Sequence, residues 1–148
     1  MTNFMTKPCA VVFDLGTVLV NFDYGITVRA LLARCTVPAT ELVRIIDQSS
    51  LLFRYETGDL TTEAFYSEVK AASGFRGDLE EFCLHFGDIF SPIEPMIELH
   101  ASLRARGVPT FIFSNTNELA VRHIRAHFPF FANFDGYVFS HEIGRAHV

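Results

Sequence analysis

The apolar positions divide the chain into short runs and longer periodic stretches. Cys9-Ala10-Val11-Val12-Phe13 is a continuous apolar run closed by Asp14 and Gly16. A run of this kind predicts a strand buried on both faces, as in a parallel sheet. Val18-Leu19-Val20 leads away from it. From about residue 22 to residue 90 the spacing becomes helical. It predicts helices over residues 25–34, 39–47, with Leu42, Ile45 and Ile46 on one side, and 51–55. Gly58-Asp59-Leu60-Thr61 breaks the pattern. Thr61 is placed to cap the next helix, with Glu63 in its first turn, Phe65 and Val69 four apart, and a stop near Gly74. A further helix is expected over 78–86. No strand pattern interrupts this stretch.

Pro92 and Pro95 mark a change. Pro95 suits a first helical turn and Gly107 a C-terminal cap, while Met96, Leu99 and Leu103 supply the apolar face between them. Residues 108–113 predict a second buried strand, ended by Ser114-Asn115-Thr116-Asn117. A helix over 118–127, an aromatic corner at Phe128-Pro129-Phe130-Phe131 and a third short strand over 137–139 follow. Strands alternating with helices imply an α/β fold, a parallel sheet with right-handed crossovers. The expected division is a partial Rossmann-like core over 1–21 and 92–148, with a helical insert over 22–91 after the first strand. Ligands of such sheets bind beyond the carboxyl ends of the strands. Asp14 and Ser114 each directly follow a buried strand, so both are expected on one rim.

Composition narrows the classes. The 148 residues suit one core domain or a small core with an insertion. A formal charge of -5 argues against a nucleic-acid partner, which calls for a clustered basic face. No apolar run approaches the ~20 residues of a membrane helix. Cys9, Cys35 and Cys83 have no metal-ligand spacing and are expected as buried, reduced thiols. With no secretory signal in view, they suggest a cytoplasmic location. Sixteen Phe and no Trp predict a core rich in Phe.

Two segments carry candidate chemistry. A carboxylate just past a buried strand, here Asp14, is costly to desolvate unless something compensates. A divalent cation does so, because hard cations prefer oxygen ligands. The same carboxylate can attack phosphorus to give an aspartyl-phosphate, and Gly16 allows a sharp turn that brings its carbonyl to the metal. The same residues also read as an ordinary turn after a strand. At the second strand end, the Ser114 hydroxyl and the Asn115 backbone N–H, ahead of a helix N-terminus, form an anion site. That segment also reads as a turn with Asn117 capping the helix.

Phe13-Asp14-Leu15-Gly16-Thr17-Val18-Leu19-Val20, followed about a hundred residues later by Phe113-Ser114-Asn115-Thr116, resembles motifs I and II of the haloacid dehalogenase (HAD) superfamily. The helical insert resembles that family's small C1 cap. Tyr55-Glu56-Thr57-Gly58-Asp59-Leu60-Thr61 is similar to a segment common in these caps. Phe134-Asp135-Gly136 and Ser140-His141-Glu142-Ile143-Gly144 resemble the stretch leading into motif III. The resemblance implies a Rossmann-like hydrolase, in most members a Mg2+-dependent phosphatase. It implies Asp14 as nucleophile and metal ligand, the Gly16 carbonyl as a second metal ligand, and Ser114 with Asn115 as phosphate-binding residues. The expected partner is a small phosphorylated metabolite, with a sugar phosphate the best guess.

Three departures qualify this. Gly16 stands where most phosphatases of the family have a second Asp as general acid and base. An Asp-Leu-Gly variant resembles a sugar-phosphatase branch that remains hydrolytic. Gly16 also keeps open a non-catalytic binding or regulatory protein, and metal-independent haloacid dehalogenation is a third reading. Second, the motif III Lys and the motif IV acid are absent from this chain, which has no Lys after Lys70. The resemblance therefore implies weak metal binding, an unpaired sheet edge and little activity for the 148 residues as they stand. Third, Ile143-Gly144-Arg145-Ala146-His147-Val148 is what a common short-read sequencing adapter encodes. We expect these residues to be unnatural and the gene to continue; a genomic stop after Val148 would refute this.

Other residues are less telling. His123 and His127 are four apart, a spacing that suits zinc, but a solvated helix face is expected. Phe53, Arg54, Tyr55 and Glu56 stand where cap residues face substrate or pack, and the sequence does not separate these roles.

Overall fold

A computed structural model of the chain describes residues 6–146; His147 and Val148, the end of the segment suspected to be adapter-derived, lie outside it. The apolar run gives β1 (Val11–Phe13), and the run before Ser114 gives β4 (Thr110–Ser114). β5 (Gly136–Phe139) completes a parallel sheet of order β1-β4-β5. β2 (Val20–Phe22) and β3 (Phe90–Pro92) form a separate antiparallel ribbon.

Between the ribbon strands run five helices: α1 (Tyr24–Leu32), α2 (Ala39–Asp47), α3 (Ser50–Glu56), α4 (Thr62–Ser73) and α5 (Leu79–Gly87). Their ends follow local chemistry. Asp23, Ser49, Thr61 and Asp78 each accept a backbone N–H of the first turn. Gly74 closes α4 in the left-handed conformation, φ 68°, which costs glycine least. The helices enclose an aromatic cluster in which Phe65 stacks on Tyr55 with ring centroids 4.5 Å apart and meets Phe86 edge-on at 5.2 Å. α6 (Glu94–Ala105), with Pro95 in its first turn, leads to β4. α7 (Glu118–His127) leads through a 3-10 turn (Pro129–Asn133) to β5, and α8 (Ser140–Ala146) follows it. The ends of α2 and α7 fall where expected, and the other ends differ from the expected ones by at most two residues.

The sheet departs from expectation. Its strands were expected to be buried on both faces; only one face is covered. Register partners in parallel strands share a face, so Phe13 and Ile112 point one way, with 4% and 0% exposure. Val12, Phe113 and Val138 point the other way and are 63%, 59% and 41% exposed. The strand order runs in one direction from β1 through β4 to β5, and right-handed crossovers then place both connecting helices on the same side. Residues of α6 and α7 accordingly join the cluster over Phe13, Ile112 and Phe139. An apolar run tells nothing about whether one face or two will be covered. Among the described residues β1 pairs with β4 alone, which leaves its other edge open.

Cys9 is exposed and Cys35 and Cys83 are half-buried, against the expectation of buried thiols; Cys9 precedes β1 rather than belonging to it, and all three cysteines are free. No helix among the described residues is long and apolar enough to cross a membrane.

Candidate active site

β1 and β4 run parallel in a register that pairs Phe13 with Ile112. Asp14 therefore leaves the sheet beside Phe113, one residue short of Ser114, at the carboxyl ends of adjacent strands. Beyond Asp14 the chain turns sharply. Thr17 takes φ 62°, its N–H donates to the Val20 carbonyl at 2.7 Å, and the Leu19 N–H donates to the Leu15 carbonyl. Gly16 sits inside this turn, and a Cβ there would lie 3.1 Å from the Phe22 ring. Glycine thus lets the ribbon strand β2 close over the turn.

Asp14 is exposed. Its Oδ1 accepts the Leu15 N–H at 2.7 Å, and its Oδ2 has no hydrogen bond among the described residues. Ser114 is 4% exposed, and among the described residues its Oγ makes only a long contact, 3.4 Å, to the Asn115 carbonyl. Asn117 caps α7 through its Oδ1, which accepts the Ala120 N–H at 2.9 Å. The Asn115 backbone therefore lies just outside a helix N-terminus, where partial positive charge accumulates.

A cavity of about 260 Å³ opens at this rim, lined on the sheet side by Gly16, Ser114, Asn115, Thr116 and Asn117. Its far wall comes from the helical segment through Tyr24, Asp47, Leu52 and Glu56. Asp14 stands at the rim rather than in the lining; Leu15 and Gly16, which follow it, are in the wall. Of the residues singled out from the sequence, Gly16, Ser114 and Asn115 share this cavity and Asp14 adjoins it along the chain.

The four residues of the helical segment left open by the sequence take separate roles. Tyr55 is 1% exposed and packs. Phe53 is 67% exposed, Arg54 pairs with Glu68, and Glu56 faces the cavity. Burial pushes the Glu56 carboxyl up to about 7. Burial, and then the carboxylates of Glu56 and Asp47, push the Tyr24 phenol well above its usual range. The Glu56 backbone carbonyl accepts a hydrogen bond from Ser140 Oγ at 2.7 Å, and the Thr116 N–H donates to the same Oγ at 2.9 Å. Ser140 thereby joins the end of α3 to the loop after β4. Tyr24 and Asp47 were missed by sequence reasoning because they enter the site from elements distant in the chain, while Thr116 was named only as part of the segment that ends β4. Only the polar Asn117 and Glu56 carried a local signal.

His123 departs from a solvated helix face. It stacks on His127 with centroids 4.1 Å apart, contacts Phe90 and Phe128, and burial lowers its pKa. Among the described residues no group of three His, Cys, Asp or Glu converges as a metal cluster.

No family model matches the chain. Solved structures do. A HAD family enzyme from Bacteroides thetaiotaomicron, in complex with magnesium and inorganic phosphate, matches with a TM-score of 0.75 at 16% identity, over 91% of this chain and 70% of that one. A predicted HAD-like family hydrolase from Porphyromonas gingivalis matches with a TM-score of 0.71 at 21% identity, over 91% of this chain and 67% of that one. L-2-haloacid dehalogenase from Xanthobacter autotrophicus, with chloropropionic acid covalently bound, gives a TM-score of 0.57 at 16% identity, over 90% of this chain and 57% of that one. The parallel sheet, the helical insertion after its first strand and these likenesses agree: the chain has the fold of the HAD superfamily hydrolases.

Proposed function

We propose that the protein is a magnesium-dependent phosphatase that hydrolyses a small phosphorylated metabolite through an aspartyl-phosphate on Asp14. The observation that carries this reading is the β1–β4 register, which brings an exposed carboxylate and a buried hydroxyl to neighbouring strand ends beside one cavity. Asp14 attacks phosphorus and the bond to the leaving oxygen breaks. Water then attacks phosphorus, releases inorganic phosphate and restores the carboxylate. Ser114 Oγ and the Asn115 N–H hold the phosphoryl oxygens through both steps.

Asp14 and the Gly16 carbonyl are hard oxygen donors. That chemistry fits Mg2+, which takes one or two carboxylates and keeps several waters. Bound there, the ion supplies positive charge that offsets the phosphoryl oxygens as the nucleophile approaches. The B. thetaiotaomicron enzyme binding magnesium and phosphate supports the same assignment.

The far wall speaks to the rest of the substrate. Tyr24, Asp47 and Glu56 offer hydroxyl and carboxyl groups, and among the described residues no Lys or Arg lines the cavity. Such a wall suits an uncharged, hydroxylated body such as a sugar, and disfavours a second anionic group. The helical segment over 22–91, as a cap, then excludes bulk water from the reacting centre.

Phosphate release by the complete protein, measured with and without Mg2+ and with Asp14→Asn, tests the reading. Magnesium-dependent release lost in Asp14→Asn is expected. Phosphate release that survives the substitution contradicts the nucleophile, release indifferent to magnesium contradicts the metal assignment, and no release at all favours a binding protein or, where halide is freed from a 2-haloacid instead, halide-releasing chemistry.

A further inference from the structure

We propose that Glu56, reaching the cavity from the helical segment, is the general acid and base of the reaction. This rests on the phosphatase reading above and adds the proton transfers that reading leaves unassigned. The leaving oxygen of a metabolite ester departs as an alkoxide unless it receives a proton, so a protonated group must face it. Ser114 and Asn115 are committed to the phosphoryl oxygens. Of the acids that reach the cavity, Asp47 ends α2 and is exposed, while the Tyr24 phenol holds its proton too tightly to give and regain it near neutral pH. Glu56 is half-buried in the wall facing Gly16 and Ser114. Its carboxyl has no hydrogen bond and no ion pair among the described residues, so nothing competes for its proton.

Its position is held from two sides. Glu56 is the last residue of α3, and Ser140 Oγ fixes its carbonyl to the loop after β4 that carries Thr116. Of the charged groups on the elements packed against α3, Asp47 shares the cavity with it. Glu68 of α4 is paired with Arg54. On α8, the His141 ring meets the Thr116 carbonyl at 3.1 Å and Glu142 is exposed. No cation among the cavity-lining residues draws the proton away, and burial keeps it near pH 7.

The proton balance is closed. As the Asp14–phosphorus bond forms and the bond to the leaving oxygen breaks, protonated Glu56 gives its proton to that oxygen and the alcohol leaves. The resulting carboxylate accepts a proton from the water that attacks phosphorus. Phosphate is released, Asp14 is regenerated and Glu56 is again protonated.

The test compares kcat/KM of the complete protein, and of its Glu56→Gln and Asp14→Asn variants, on an aryl phosphate and on an alkyl phosphate. The phenolate leaves without a proton and the alkoxide does not. Glu56→Gln should lower kcat/KM for the alkyl ester by about 10²–10⁴-fold, leave the aryl ester within a few-fold, and remove the fall in alkyl-ester rate as pH rises through neutrality. Asp14→Asn should abolish both. Loss of both by Asp14→Asn, with equal effects of Glu56→Gln on the two esters or none, overturns the Glu56 assignment alone. Survival of turnover in Asp14→Asn, or its absence in the parent protein, overturns the phosphatase reading and this assignment with it. Carboxyl titration by 13C NMR on the 148-residue chain is independent of turnover: Glu56 should hold its proton to near neutral pH, and titration in the ordinary carboxylate range would overturn the assignment.

Discussion

The helical segment and the parallel sheet bury their apolar residues in different ways. The helices surround a closed cluster in which Tyr55, Phe65, Phe82 and Phe86 are all 2% exposed or less. The sheet packs Phe13, Ile112 and Phe139 against α6 and α7 but leaves Val12, Phe113 and Val138 open on its other face. The contrast follows from geometry. Helices can surround a core on all sides, whereas a sheet wound in one direction receives its crossover helices on one side only. Stability should therefore be concentrated in the helical segment, and sensitivity to solvent and to association in the sheet.

The comparison breaks first on core truncation. Phe82→Ala removes a ring in contact with Phe65, Tyr66, Phe75 and Phe86, and should cost about 3–5 kcal/mol in denaturant unfolding. A cost below about 1 kcal/mol would deny the helical segment its closed core.

The next effect concerns the buried acid facing the cavity. The folded-state pKa of Glu56 is raised to about 7, so its contribution is unfavourable at neutral pH. Between the ordinary Glu pKa and about 7 the unfolded chain gives up this proton while the folded chain keeps it. Stability is therefore lost as pH rises through that window. Glu56→Gln should leave the melting temperature unchanged near pH 4 and raise stability by roughly 1–2 kcal/mol at pH 8, after discounting for partial solvation. Equal stabilisation at both pH values would show that the carboxyl is not desolvated.

An effect of similar size probes the join between the two regions. The Leu119 N–H donates to the Tyr55 hydroxyl at 3.2 Å, Tyr55 donates to Thr62 Oγ1 at 2.6 Å, and Thr62 donates to the Glu118 carboxylate at 2.6 Å. The chain ties α3 and α4 to the first turn of α7. Tyr55→Phe leaves the Leu119 N–H buried without its partner and should cost about 1–2 kcal/mol. It should also raise amide exchange at the start of α7, and unchanged exchange would show the regions to be joined by apolar packing alone.

The smallest stability effect is expected on the open sheet face. Replacing Val12, Phe113 and Val138 together by Thr should change unfolding free energy by only about 0.5 kcal/mol per site, yet reduce binding of a hydrophobic dye and self-association. A large loss of stability would mean that the face is covered in solution.

The sequence was most readable where local chemistry decides. Thr61 and Asn117 announced helix starts through hydroxyl and amide caps, Gly74 announced a stop, and Asp14 and Ser114 were found because each ends an apolar run. The β2–β3 ribbon was not readable. It consists of three-residue strands whose partners, such as Asn21 and Ser91, lie far apart in the chain, and neither strand alternates visibly. The one-sided sheet escaped because Val12 and Phe13 look alike in sequence, and only strand order decides which is covered. Glu56 was one of four adjacent cap candidates. Its raised pKa comes from burial in the folded chain, where α3 packs against an element as distant as α8, which no local pattern records.

The central claim, that phosphorus is transferred to Asp14, is tested most directly by trapping the intermediate. The complete protein, mixed with a phosphorylated sugar and magnesium, is quenched in acid and reduced with borohydride, which converts an aspartyl-phosphate to homoserine. Peptide mass spectrometry should find homoserine at position 14, and none when substrate is omitted. Turnover with an unmodified Asp14 under trapping conditions, or homoserine at a different aspartate, would contradict the account.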